Sequence, residues 1–340
     1  QFIAVPKGNR FGVLLSAKRN GAPGDLALSI DGLPTGVRME SPVMSGKQDA
    51  MPFVFYADAD APIAGKLLDL VAASEKGVKG HFRQDVEFVY GQNQTVFYGA
   101  RVDKMMVAVT EAAPFKVRIV EPKVPLVQAG TMNLKVVAER APGFDEPIAL
   151  KMLWNPPGIS SAADVTIPKG QSVASYTLNS TAGAEPHTWK IAVTAAANYK
   201  GGPLFVSSQL APLEVSGPYV AGTIERTNAE PGTVVKLICR LEQKQPFEGK
   251  ATVKLLGLPE KITAADATIT KDSKQVVFDL KLDPTISPGS HRALFCSVEI
   301  KKGNEVIHQN IASGGVLRIV PPKKAATPTK VAAATATKVK

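Results

Sequence analysis

Cys239 and Cys296 are the residues whose type and spacing best suit them for chemistry, and they are the only two cysteines in the chain. They lie 57 residues apart and form no CxxC, so a redox or zinc motif is a poor reading. The chemistry open to such a pair is a structural disulfide. The four histidines, His81, His187, His291 and His308, are scattered without metal-ligand spacing. No GxSxG, HExxH, P-loop or GxGxxG occurs. Asp58-Ala59-Asp60 opens like a calcium loop but lacks the third acid and the glycine, and reads as a solvated turn before Pro62. The expectation is therefore no catalytic residue, no metal ligand and no cofactor.

The elements that must position the cysteines are short alternating strands. Val235, Leu237, Cys239 and Leu241 fall on one face of a period-two run, with Lys236 and Arg240 opposite. The same run appears earlier as Met132, Leu134, Val136 and Ala138, and earlier still as Val13, Leu15 and Ala17. Each is followed by a second alternating strand that ends in a proline turn: Leu26–Pro34, Ile148–Pro157 and Ala251–Pro259. A later strand follows (Ala174, Tyr176 and Leu178; Val276, Phe278, Leu280 and Leu282). Another proline turn and a final core strand come next, the latter carrying Leu68 and Leu70, Ile191 and Val193, or Leu294 and Cys296. Three copies of about 100 residues predict tandem β-sandwiches.

The repeat turns the cysteines into a ruler. Val136 and Val193 are also 57 residues apart, and Leu15 and Leu70 hold the corresponding places in the first copy. Two positions facing each other across a core are filled by aliphatics that pack or by thiols that bond. Immunoglobulin-like sandwiches place such a pair on strands B and F, one per sheet. This reading predicts a Cys239–Cys296 disulfide in an oxidising compartment, worth about 4 kcal/mol at the upper end by loop-closure entropy. The alternative is two free buried thiols acting as small apolar residues. Leu255 and Leu256 stand where an antibody domain would place its core tryptophan, so the domain is immunoglobulin-like without being an antibody domain.

The first copy departs from the pattern. Leu70 to Val109 spans 39 residues, against 22 for Val193 to Val215 and 24 for Cys296 to Val320. Roughly fifteen extra residues must project from the sandwich. They fall near 88–99 and read as a hairpin turning at Gly91-Gln92-Asn93-Gln94. Phe88, Tyr90, Phe97 and Tyr98 lie within eleven residues of a chain that is 6% aromatic. They form a candidate surface for a protein partner or for stacking on a sugar. The bland expectation, which is preferred, is that they pack on the adjacent domain and stiffen the junction.

The net charge of +10 is uneven, because residues 321–340 hold five lysines and no acid. This Ala/Thr/Lys/Pro tail is too poor in large apolar residues to fold and reads as a disordered linker or chain end. No basic run interleaved with aromatics supports specific nucleic-acid binding. No apolar stretch is long enough for a transmembrane helix. The chain starts at Gln1-Phe2 without a recognisable leader, so either a leader has been removed or, as is expected here, this is a fragment of a longer protein.

The stretch Val102–Phe115, running on through Val120–Leu126, carries a resemblance together with the Gly32-Leu33-Pro34 and Gly257-Leu258-Pro259 turns. It resembles the Ig-like repeat region of large exported bacterial proteins that often carry pre-peptidase C-terminal domains and are sometimes labelled subtilase-type peptidases. The resemblance implies export to the periplasm, medium or cell surface, and no catalytic residue carries over. The expected organisation is three sandwiches over 1–112, 113–215 and 216–320, then the tail at 321–340. The expected role is a non-catalytic spacer or binding array whose partners are other domains of the parent protein, an extracellular protein or a glycan. A carbohydrate-binding module and an accessory region of a secreted protease are the alternatives.

Overall fold

The computed structural model describes residues 2–21 and 23–321; the tail expected at 321–340 lies, beyond Pro321, outside the described residues. The first repeat runs β1 (Phe2–Pro6), β2 (Arg10–Ser16), β3 (Leu26–Ile30), β4 (Val37–Glu40), β5 (Ala50–Ala57), β6 (Gly65–Leu68), β7 (Leu70–Ser74), β8 (Lys79–His81), β9 (Gln84–Tyr90), β10 (Val96–Val102) and β11 (Met105–Thr110). The second runs β12 (Phe115–Ile119), β13 (Leu126–Val127), β14 (Gly130–Arg140), β15 (Ile148–Met152), β16 (Ile159–Ser161), β17 (Val165–Ile167), β18 (Val173–Ser180), β19 (His187–Ile191), β20 (Val193–Tyr199), β21 (Gly202–Ser207) and β22 (Ala211–Ser216). The third runs β23 (Val220–Ile224), β24 (Thr227–Ala229), β25 (Val234–Gln243), β26 (Ala251–Leu256), β27 (Ile262–Thr263), β28 (Ala267–Ile269), β29 (Gln275–Leu282), β30 (Gly289–Lys302) and β31 (Glu305–Ile319).

Strand pairing makes the repeats immunoglobulin-like sandwiches. In the second, β12-β14-β18-β16 form one sheet, the A-B-E-D order, and β17-β15-β20-β21 the facing C-F-G sheet with an extra strand at its edge. The third repeats this as β23-β25-β29-β27 against β28-β26-β30-β31. A short strand near the start of each repeat pairs in parallel with the last strand: β1 with β11, β13 with β22, and β24 with β31. The first repeat keeps B-E-D as β2-β5-β4 and faces it with β3-β7-β8.

Alternation on the strands produces the burial. β29 alternates exposed and buried along its whole length, placing Val276, Phe278, Leu280 and Leu282 inside. β14 buries Met132, Leu134, Val136 and Ala138 on one face, as period two demands. In the first repeat the core gathers Phe53, Phe55, Leu70, Val107 and Val109. The proline turns are the same local structure three times. The carbonyls of Pro34, Pro156 and Pro259 accept hydrogen bonds from the amides of Val37, Ile159 and Ile262, each opening the next strand. In two of these turns glycine supplies the left-handed residue before the donor, Gly36 and Gly158, each at φ 77°.

The described residues divide into two compact units, 2–219 with Glu299–Gln309, and Val220–Val298 with 310–321. Within the first unit, Val54 packs with Leu153, Ala192 and Leu210, so the first two repeats share buried apolar surface. Asn9, 2% exposed, donates from Nδ2 to the Phe115 carbonyl at 2.8 Å across that joint. Gln209 replaces a missing strand partner: its Oε1 accepts from the Ile119 amide and its Nε2 donates to the Ile119 carbonyl. One hundred residues on, Gln309 Oε1 accepts from the Tyr219 amide at the same 90-residue separation.

Candidate binding hairpin and buried thiol pair

β9 and β10 are rich in Val, Phe and Tyr, side chains that fit a pleated surface. Their turn closes with the Gly91 amide donating to the Thr95 carbonyl at 2.8 Å. Asn93 and Gln94 both sit in the left-handed region, at φ 59° and 56°. The register pairs Gln84 with Val102, Asp85 with Arg101, Val86 with Ala100 and Glu87 with Gly99. It then shifts twice before Tyr90 meets Val96, so Phe88 and Phe97 bulge without a direct partner opposite. Arg101 Nε donates to Asp85 Oδ1 at 2.7 Å at the hairpin base. That bond holds the Asp85 carboxyl below its usual range and Arg101 above its own. A hydrogen bond with Glu87 raises the Tyr90 phenol. Just before the ribbon, Phe82 packs on the core of the first sandwich and anchors it there.

The structure corrects the expectation that the aromatics pack on an adjacent domain. Phe88 is 58% exposed, Tyr90 60%, Phe97 73% and Tyr98 64%. The two strands form a two-stranded sheet of their own, so no second layer covers them. Exposure runs through consecutive residues, Phe88-Val89-Tyr90 and Val96-Phe97-Tyr98, so both faces of the ribbon carry bare apolar side chains. The Phe88 and Tyr98 rings support each other at 5.8 Å between centroids, tilted by 34°. Residues 82–104 separate β8 from β11 in the first repeat, where only 208–210 separate β21 from β22 in the second. The ribbon is therefore an insertion into the last strand of the sandwich.

Cys239 lies on β25 and Cys296 on β30, one in each facing sheet, and both are fully buried. Val136 and Val193 hold the same places on β14 and β20 and are buried as completely. The cysteines are free thiols here, so the bond expected between them is not formed in this structure. They are linked instead by a hydrogen bond. That bond lowers the pKa of Cys239 and, with burial, raises that of Cys296.

Three of the four histidines and the Asp58 turn are occupied locally, whereas the buried His291 Nε2 has no hydrogen-bond partner. His81 bonds Asp69 at 2.7 Å, the His187 ring packs on Trp189, and His308 lies 4.0 Å from Glu299. Asp58 pairs with Arg38 at 3.1 Å and its carbonyl accepts from Gly8 and Ala61, which makes the Asp58-Ala59-Asp60 segment a turn. Among the described residues no three His, Cys, Asp or Glu side chains converge as metal ligands, and no helix is long and apolar enough to cross a membrane. The glutamine and asparagine bonds to distant backbone groups were missed by sequence reasoning. The equal spacing of Gln209 and Gln309 within the repeat was the signal that could have found two of them.

No protein-family model and no curated protein matches the chain. Among solved structures it is similar to a protein of unknown function from Porphyromonas gingivalis W83, at 10% identity and TM-score 0.22, over 61% of this chain and 100% of that one. It is similar to a putative membrane anchored protein from Corynebacterium diphtheriae at 10% identity and TM-score 0.21, over 96% and 91% of the two chains. It is also similar to the D0-D1 domain of intimin, at 12% identity and TM-score 0.21, over 60% and 96%. Likenesses this distant carry no argument of their own, and the immunoglobulin-like assignment rests on strand order and on the parallel pairing of first and last strands.

Proposed function

We propose that the chain is a non-catalytic, immunoglobulin-like repeat segment of an exported protein, a spacer that carries one projecting binding element. Its domains are 1–112, 113–215 and 216–320. Its partners are neighbouring domains of the parent protein and an extracellular molecule held by the hairpin. The association with pre-peptidase domains implied by the sequence resemblance belongs to the same reading, with these repeats positioning a catalytic domain encoded elsewhere. The cysteine pair closes to a disulfide in the oxidising compartment that export supplies.

The observation that carries this reading is the hairpin itself. Soluble proteins cover contiguous apolar surface unless it is used, and a two-stranded ribbon is marginal in water without a partner layer. Here the ribbon displays Phe88, Tyr90, Phe97 and Tyr98 on a sandwich that closes on either side of the insertion. Replacing residues 84–102 of the full chain with a short Gly-Ser turn tests it. The expected outcome is an unchanged melting temperature and loss of retention on the surface of the native cells. Unchanged retention refutes the binding role, and recovery of the native protein from the cytosolic fraction refutes export.

A further inference from the structure

We propose that the tip of the β9–β10 hairpin binds a neutral polysaccharide, with Phe97 as its stacking platform. This rests on reading the hairpin as the binding element of the chain and names the chemistry of what it holds. Charge comes first. The thirteen residues 88–100 carry no Asp, Glu, Lys, Arg or His, whereas the ribbon's charges sit at its root in Asp85, Glu87 and Arg101. A partner matched to this tip is itself uncharged.

Ring placement comes second. Phe97 seats against Gly91 so closely that a Cβ at residue 91 would fall 1.7 Å from its Cε2. The backbone of Gly91 is ordinary extended chain, at φ −94°, so the glycine is needed there for the ring and not for the turn. Phe97 is thus held against the loop on one side while remaining 73% exposed. A ring supported in this way is already ordered before a ligand arrives, which lowers the entropic cost of stacking.

The apex comes third. Gln92, Asn93 and Gln94 line the turn as three exposed amides, each both donor and acceptor. A sugar ring has an apolar C–H face and a rim of hydroxyls, so the rings take the face and the amides take the rim. The same amides argue against insertion into a bilayer, because burying them in hydrocarbon without partners is costly. The competing occupant is a second copy. The outer edge of β10 has no lysine or proline to discourage strand pairing.

The test is affinity electrophoresis of the full chain in gels containing barley β-glucan, galactomannan, xylan or dextran, with polygalacturonate as the charged control. The expected result is retardation by at least one neutral polymer and not by polygalacturonate. Phe97→Ala should weaken it about tenfold, and Gly91→Ala, which displaces the ring without straining the backbone, should weaken it as well. Both variants should melt as the parent does, which keeps folding out of the comparison. No retardation by any neutral polymer, or equal retardation of the variants, overturns the proposal. Sedimentation separates the two levels of failure. Self-association abolished by Phe97→Ala overturns the glycan but keeps the hairpin as the binding element. A monomer indifferent to every polymer and to replacement of the hairpin removes both.

Discussion

Refolding the chain from denaturant with oxidised glutathione should link Cys239 to Cys296. The reaction balances as two protein thiols and one oxidised glutathione giving one protein disulfide and two reduced glutathiones. A thiolate of the unfolded chain attacks a glutathione sulfur and releases one reduced glutathione, before folding buries both cysteines. The second cysteine then displaces the bound glutathione. The residues are 57 apart, and closing a loop of that length removes about 4 kcal/mol of unfolded-chain entropy, with any native strain subtracted. For a domain of this size that corresponds to a rise of about 15–30 °C in the Tm of the third sandwich. Thiol titration in denaturant, intact mass and thermal melts with and without reductant measure the outcome. The double variant Cys239→Val and Cys296→Val should fold and melt near the reduced protein, since the second repeat holds Val136 and Val193 at these places with equally complete burial. Two titratable thiols remaining after oxidative refolding would refute the cross-sheet bond. A double variant that does not fold would refute the equivalence of the repeats on which the reasoning stands.

Two further substitutions test a turn and a long-range side-chain bond to the backbone. Gly257→Ala places a Cβ 2.1 Å from the Ala293 carbonyl oxygen in a residue at φ 77°, so denaturant melts should show a loss of more than about 2 kcal/mol in the third sandwich; a neutral result would mean that the turn relaxes. Gln209→Ala removes both side-chain bonds to the Ile119 backbone and should cost about 2–3 kcal/mol in the first unit, read by hydrogen exchange at Ile119 as well as by melting.

Period two in the chain was enough to locate the core strands, because alternation is a local property. Val276, Phe278, Leu280 and Leu282 alternate in sequence and are buried as alternation requires. The three proline turns and the 57-residue spacing were equally legible, since each depends on residues within one copy. The aromatic hairpin could be placed by length alone: the first repeat is longer between its last two strands. Its exposure could not, because apolar side chains on a ribbon read the same whether a neighbour covers them or not. Burial is a non-local quantity, and tertiary structure decided it. The thiols follow the same division. Sequence determined that Cys239 and Cys296 face each other across a core, and the fold decided how completely both are buried. The long-range bonds from side chain to backbone lay furthest from the sequence. Asn9, Gln209 and Gln309 look like surface polar residues, and only the packed structure supplies the distant backbone groups that their side chains satisfy.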